Sequence, residues 1–161
     1  MWPFDLFKQT KIIPTFTTPD ARFLSNFYPF KKNGQYPHKL KIYYYGVLFS
    51  CTETAYQAAK TMDMELRYKI SQMNPFEAVA LSKSGGIPTR KDWDAVKYSV
   101  MEDLVWQKFQ HPELKKMLLK TKNAILQEGN TWGDVYWGIC NGVGENNLGK
   151  ILMATRDKLR R

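Results

Sequence analysis

A carboxylate, an amide and an ammonium group recur at helical spacing in the segment Ser50 to Lys60, SCTETAYQAAK. On a helix, Glu53, Gln57 and Lys60 stand at i, i+4 and i+7 and share one face, roughly opposite the line through Ala55, Ala59 and Met62. Turned to solvent, they are a polar helix surface. Turned to a cavity, they place a general base or electrostatic stabiliser beside a hydrogen-bonding amide and a cation. A structural reading of Glu53 stands beside this one: with Ser50 as N-cap, it occupies the third helical position of a capping box. The two roles conflict only in part, because a first-turn residue can still face a pocket.

Two further segments could carry chemistry. Arg90-Lys91-Asp92-Trp93 follows the Gly85-Gly86 break and sets cations beside an indole at a helix start, which suits a phosphate and a stacked base. A buried Trp93 flanked by a solvated charge run is the plainer alternative. Trp132-Gly133-Asp134-Val135-Tyr136-Trp137-Gly138 interleaves large aromatics with glycines and leads into Asn141 to Gly149, rich in Gly and Asn. Such a loop suits the wall of a planar-ligand pocket, and its end could hold an anion through backbone N–H groups. The spacing of Gly142, Gly144 and Gly149 is not that of a dinucleotide-binding fingerprint, and structural turns explain the glycines equally well.

The elements that must position these residues follow from pattern. Ile12 to Phe16 reads as a short edge strand with Pro14 in it. Residues 20–38 read as a long ordered loop, and Leu40 to Phe49 as one or two strands turning at Gly46. Ser50 or Thr52 caps a helix to about Ser71, with the apolar stripe Ala55, Ala59, Met62, Leu66 and Ile70. Asn74-Pro75-Phe76-Glu77 predicts an N-cap, a first-turn proline and a capping-box acid, opening a short helix to about Lys83. From Asp92 a longer helix presents Trp93, Val96, Val100, Leu104, Val105 and Phe109. His111-Pro112 breaks and restarts it, with Leu114, Met117, Leu118, Ile125 and Leu126 continuing inward to Gly129. A loop over 130–146 and a last helix from about Asn147 to Leu159 complete the chain. The fold class expected is α+β and predominantly helical, one compact domain over 1–161 with a small N-terminal β component.

The 161 residues, 43% hydrophobic and 14% aromatic, are enough for one substantial core. No apolar run approaches the ~20 residues of a membrane helix, and Met1 to Asp5 has neither the basic nor the apolar region of a signal peptide. Cys51, Cys140, His38 and His111 are each isolated, so no metal-ligand motif is present and reduced thiols in a cytoplasmic protein are expected. The formal net charge of +9 favours an anionic partner, and the basic residues are spread along the chain rather than gathered in a nucleic-acid tail. No membrane and no obligate protein partner is expected.

Taken in order, these segments resemble the YbiA-like family, also called NADAR. The stretches that carry the resemblance are FLSNF at Phe23 to Phe27, TExxYQAAK at Thr52 to Lys60, RKDW at Arg90 to Trp93, Tyr136-Trp137-Gly138, and NNLG-x-x-LM-x-x-R from Asn146 to Arg156. Together they span roughly residues 20–160. The resemblance implies a compact, mainly helical fold with a few short strands. It also implies hydrolysis of an N-glycosidic bond. The substrate would be ADP-ribose on modified guanine in nucleic acid or a phosphoribosylamino-pyrimidine intermediate of riboflavin synthesis. Glu53 matches the family's essential acid, Trp93 the aromatic of its RKxW segment, and Asp134 an acidic residue near Tyr-Trp-Gly. The chain departs from many relatives in carrying Ser82-Lys83 where they have Gly-Arg, and Ile139 where some have an acid after Tyr-Trp-Gly.

In such a reaction positive charge grows on the ribosyl C1′ and O4′, and a carboxylate stabilises it and activates water. Glu53 is the candidate for that work. Trp93 with Trp132 or Trp137 would stack on the heterocycle, and Lys60, Lys83 and Arg90 would clamp phosphate. Asn26 and Gln57 would hydrogen-bond sugar or base, with Ser25, Phe27, Tyr56 and Asn147 in the same substrate site. Neither metal nor nicotinamide cofactor is required. The alternative from another class is a non-enzymatic ADP-ribose or nucleic-acid binding module, which would use the same positive field and aromatic platforms without a placed carboxylate.

Overall fold

A computed structural model describes residues 9–161; the reading of Met1 to Asp5 lies outside the described residues. The chain runs through β1 (Ile12–Ile13), a turn of 3-10 helix at Arg22–Leu24, β2 (Phe30–Lys31), β3 (Gly34–Gln35), β4 (Ile42–Tyr44) and β5 (Val47–Phe49). Helices α1 (Thr52–Ala59), α2 (Met64–Ser71), α3 (Pro75–Lys83), α4 (Trp93–Lys108) and α5 (Pro112–Lys120) follow. Three short strands, β6 (Ile125–Leu126), β7 (Gly129–Asn130) and β8 (Ile139–Cys140), precede α6 (Asn147–Leu159). The fold is the expected α+β class, dominated by helix.

Helix starts follow local chemistry. At α3 the Asn74 side chain accepts from the Glu77 amide at 3.0 Å, and the Glu77 carboxylate accepts from the Asn74 amide at 2.9 Å. The capping box and its first-turn proline therefore stand where the sequence places them. Helices α4 and α6 also begin at the expected residues, and His111-Pro112 separates α4 from α5.

Two expectations are corrected. The single helix from Ser50 to Ser71 is two, because Asp63 competes with the helical ladder. Its carboxylate accepts from Glu65 N at 2.9 Å and Leu66 N at 3.1 Å, while Thr61 Oγ1 accepts from Asp63 N at 3.1 Å. Side-chain bonds of this kind end one helix and cap the next. Met62 then falls off the apolar stripe and is 60% exposed. Ile125 and Leu126 are likewise strand rather than helix. Lys122 adopts a left-handed conformation with φ 52°, which ends α5, and Ile125 N and Gln127 N then donate to Lys11 and Ile13 carbonyls at 2.9 Å.

Among the described residues the β structure is four two-stranded pairs. β1–β6 and β7–β8 are parallel, whereas β2–β3 and β4–β5 are antiparallel hairpins. The loop expected over 20–38 thus contains a hairpin, and strands also occur late in the chain. Tyr45 and Gly46, with φ of 47° and 78°, make the tight β4–β5 turn at the expected glycine.

Helix α1 is the hub, packing against α2, α3, α4 and β4. Ala55, Ala58 and Ala59 are fully buried and let these neighbours approach closely, and Thr52, Thr54, Tyr56 and Gln57 are buried too. On the face carrying Glu53 and Gln57, Gln57 is thus buried and Glu53 half-buried. Replacing Asp63 with Ala, which removes two capping bonds just beyond α1, should cost about 1 kcal/mol of stability in urea unfolding. Wild-type stability in that variant would mean that the break between α1 and α2 has another cause.

Candidate active site

The entry to α1 differs from expectation in one decisive detail. Its N-cap is Cys51, not Ser50 or Thr52. The Cys51 sulfur accepts from Thr54 N at 3.5 Å and lies 3.0 Å from Thr54 Oγ1. Burial pushes the Cys51 thiol up to about 11, which keeps it protonated. Glu53 is accordingly the second helical residue, not the third, and forms no capping box. Its amide donates to Asn26 O at 3.0 Å, and its carboxylate accepts instead from Gln57 Nε2 at 2.7 Å. Burial pushes the Glu53 carboxyl above the usual carboxylate range; the Gln57 bond and the Lys60 charge pull it back, and the Asp134 charge pushes it further up. Lys60 is half-buried, and its ammonium donates to Ser82 Oγ at 3.1 Å. Burial lowers the Lys60 pKa, and the negative charge of Glu53 opposes that shift.

An aromatic wall stands beside these groups. The Tyr56 ring lies 5.0 Å from Trp93 and 5.6 Å from Trp137, and Trp137 Nε1 donates to Tyr56 OH at 3.1 Å. Tyr98 stacks on the far side of Trp137 at 6.4 Å. Asp134 fixes the wall through one carboxylate oxygen, which accepts from Tyr136 N at 3.1 Å and Trp137 N at 2.9 Å. Asn130 in turn holds Asp134, accepting from its amide at 3.1 Å and donating to its carbonyl at 2.8 Å.

The loop at Ser25 to Phe27 closes another side. Its anchor is Lys108, 1% exposed, whose ammonium donates to Ser25 O at 2.7 Å. Burial drives that lysine down to about 7. Ser25 Oγ accepts from Phe27 N at 3.2 Å, and the Phe27 ring packs 5.2 Å from Phe76 on α3. Asn26 is buried, and two acceptors in this region, Asn26 Oδ1 and Gln57 Oε1, have no hydrogen-bond partner. A ligand that brings N–H or O–H donors would satisfy them.

Not every candidate converges. Trp132 is 65% exposed, and Lys83 lies exposed in the last turn of α3, where its neighbour Ser82 is the residue that meets Lys60. Arg90 is gripped by both oxygens of Asp92 at 2.6 and 2.9 Å and donates to Tyr44 OH at 3.2 Å. It lines a shallow groove of about 510 Å3 with Thr61, Met62 and Pro88, and its amide ties that groove to Lys60 O at 2.6 Å. Asn147 is buried at the start of α6, where its amide donates to Tyr136 O at 3.2 Å and its side chain to Glu145 at 2.8 Å. It supports the aromatic loop from behind.

One residue escaped sequence reasoning. Glu128 accepts from Asn130 Nδ2 at 3.2 Å, and its amide donates to Asn146 Oδ1 at 3.0 Å. Burial and the charges of Asp134 and Glu53 push its carboxyl up to about 7, against the Asn130 bond. The signal available was an acid between apolar Leu126 and Gly129, immediately before the aromatic loop. Among the described residues no three His, Cys, Asp or Glu side chains gather as a metal ion would require, and no helix is long and apolar enough to cross a membrane.

A family model described as the NADAR domain matches residues 15–160. The chain belongs to the NADAR family. It is similar to the N-glycosidase YbiA of Shigella boydii serotype 4 (strain Sb227), with 38% identity over 117 residues that cover 71% of this chain and 72% of that protein. A riboflavin biosynthesis protein of Vibrio vulnificus is 34% identical over 149 residues, 89% of this chain and 38% of its own length. The NMR structure of the Escherichia coli protein YbiA superposes with a TM-score of 0.77 at 32% identity, covering 96% of this chain and 88% of that one. The helix-dominated architecture is thus that of a NADAR relative.

Gly138 is the point where the aromatic loop and Glu128 touch. A Cβ there would fall 1.9 Å from Glu128 Oε2 and 2.1 Å from Glu128 O. Gly138→Ala should therefore cost at least ~2 kcal/mol of stability through forced backbone shifts. Urea unfolding of the variant measures this, and a wild-type midpoint would refute the close approach.

Proposed function

We propose that this NADAR protein hydrolyses an N-glycosidic bond of an anionic, nucleotide-like substrate. The observation that carries the reading is Glu53: a carboxylate free of capping duty, oriented by Gln57, opposite Lys60 and beside the Tyr56, Trp93 and Trp137 rings. Breaking the C1′–N bond develops positive charge on C1′ and O4′, which the carboxylate stabilises while drawing a proton from the attacking water. The aromatic wall accepts the heterocycle, and Asn26 Oδ1 and Gln57 Oε1 accept from sugar hydroxyls or base N–H groups. Lys60 supplies positive field for phosphate, within a chain of net charge +9. Trp93 and Trp137 act through stacking, and Asp134 acts on catalysis by holding Trp137. Two substrates suit this chemistry: ADP-ribose on guanine in nucleic acid, and a phosphoribosylamino-pyrimidine. The names of the relatives, N-glycosidase and riboflavin biosynthesis protein, support the same reaction class. A cytoplasmic setting belongs to this reading, since Cys51 and Cys140 are buried and unpaired.

Glu53→Gln keeps the size of the side chain and deletes its charge. In single-turnover release of base or amine from the two substrates, kcat should fall ~10²–10⁴-fold, or roughly 3–5 kcal/mol of transition-state stabilisation. Affinity should change less, because full charge at C1′ exists only near the transition state. The wild-type rate should rise with pH through the raised Glu53 pKa, since only the carboxylate is active. Equal rates in wild type and variant would overturn the role of Glu53, and tight binding without cleavage by the wild type would favour a binding module.

A further inference from the structure

An N-glycosidic bond to an amine presents two proton problems at once. The water that attacks C1′ must lose a proton, and the departing nitrogen must gain one, because an amide-like or arylamino anion is a poor leaving group. A carboxylate that is ionised to receive the first proton cannot donate the second in the same step. Sites of this kind use two carboxyl groups whose surroundings separate their ionisation. Glu53 fills one of these roles under the proposed function, and the following rests on that reading.

We propose that Glu128 is the proton donor to the leaving nitrogen. The geometry supports this in three ways. First, Glu128 is positioned rather than loose. Its backbone is held by Asn146, whose side chain accepts from Glu128 N at 3.0 Å and donates to Leu126 O at 2.9 Å. Its Oε2 accepts from Asn130 at 3.2 Å and lies against the bare Cα of Gly138. A single donor on Oε2 leaves Oε1 to carry a proton. Secondly, the residues that place it also place the aromatic wall. Asn130 holds Asp134, Asp134 holds the Trp137 amide, and Trp137 reaches Tyr56 one helical turn from Glu53.

Thirdly, one charge distinguishes the two acids, since burial and Asp134 raise both and each accepts from one amide N–H. Glu53 alone of the two has a cation, Lys60, acting on it. The charges acting on Glu128 are Asp134 and Glu53, both negative. The Lys60 charge therefore favours the anion at Glu53, while Glu128, with only carboxylates acting on it and pushed up to about 7, holds its proton below that pH.

The step balances as a hydrolysis. Water adds its oxygen to C1′ and gives one proton to the Glu53 carboxylate. The C1′–N bond pair leaves with nitrogen, which takes the Glu128 proton. A ribosyl hydroxyl and a neutral amine result, and proton exchange with solvent resets both carboxyls.

The test is the pH dependence of single-turnover cleavage of ADP-ribosyl-guanosine and the phosphoribosylamino-pyrimidine. Wild type should lose activity as pH rises past about 7, where Glu128 gives up its proton. Glu128→Gln should lower the rate ~10²–10⁴-fold, abolish that alkaline limb and leave substrate Kd within a few-fold. Folding is not the obstacle. A carboxyl whose pKa is raised in the folded state weakens the fold as pH climbs from its ordinary value through about 7, so the variant should gain Tm over wild type at pH 8 more than at pH 5. A wild-type rate flat to pH 9, or a Glu128→Gln rate and pH profile like wild type, overturns the assignment. If Glu53→Gln is inactive while Glu128→Gln is unaffected, only this inference fails. If wild type cleaves neither substrate, the proposed function fails and takes the inference with it.

Discussion

The rest of the site depends on the burial of α1 around nearly its whole circumference. A helix eight residues long that is enclosed by three other helices and a hairpin cannot leave its polar groups to bulk water. Each must find a partner inside the protein or carry the cost of desolvation. This constraint selects Cys51 as N-cap, since its sulfur can accept from Thr54 where a solvated serine would otherwise serve. It also pairs Gln57 with Glu53 and draws the Asn26 carbonyl onto the Glu53 amide. A carboxylate on the same helix in open water would be an ordinary surface charge. Enclosed, it is driven away from its ordinary pKa and becomes chemically useful.

The loops around α1 are held by polar bonds rather than by regular structure. Lys108 secures the Ser25 to Phe27 loop from within α4, although its charge is buried with only a carbonyl as direct partner. Its depressed pKa is the sign of that cost, and the neutral amine can still donate to Ser25 O. On the opposite side, Asn130 and Asp134 wind the aromatic loop into successive turns, and Asn146 and Asn147 join it to α6. Short side chains whose amides and carboxylates bond nearby backbone groups can fix a loop that has little sheet to lean on. Precision at the site thus comes from asparagine and aspartate as much as from the helices.

Legibility in the sequence followed from how local the governing interaction was. The α3 capping box and the starts of α4 and α6 depend on residues within one turn, and they could be read directly. The Glu53, Gln57 and Lys60 face was also legible from spacing, but its direction was not, because burial of α1 is decided by α2, α3 and α4. Asp63 was legible in principle as an N-cap, yet the apolar stripe ran through it and hid the break. Ile125 and Leu126 fit a helical stripe equally well, and only pairing with β1, more than a hundred residues earlier, makes them strand. Glu128 was lost with them, since a residue assigned to a helix end is not examined as part of a pocket. Lys108 carried no sequence signal at all: a lysine in the last turn of a helix is ordinarily a solvated complement to the helix dipole.

Several energetic oddities gather around α1 and the aromatic loop. Glu53, Asp134 and Glu128 repel one another, Lys60 is partly desolvated, and Asn26 Oδ1 and Gln57 Oε1 lack partners. An unpaired buried acceptor costs roughly 1–3 kcal/mol, a large sum against the stability of a small domain. Scattered through the core, such features would simply weaken it. Gathered beside an aromatic wall, they define what would relieve them: a ligand that offers hydroxyl or amino donors to the two oxygens, a planar face to the rings, and growing positive charge to the carboxylates. A ribosyl ring with a departing heterocyclic amine has all three, and its positive charge is greatest at the transition state. Under the proposed function the arrangement would stabilise the reacting species more than the bound substrate, which is the physical requirement for catalysis rather than for binding alone.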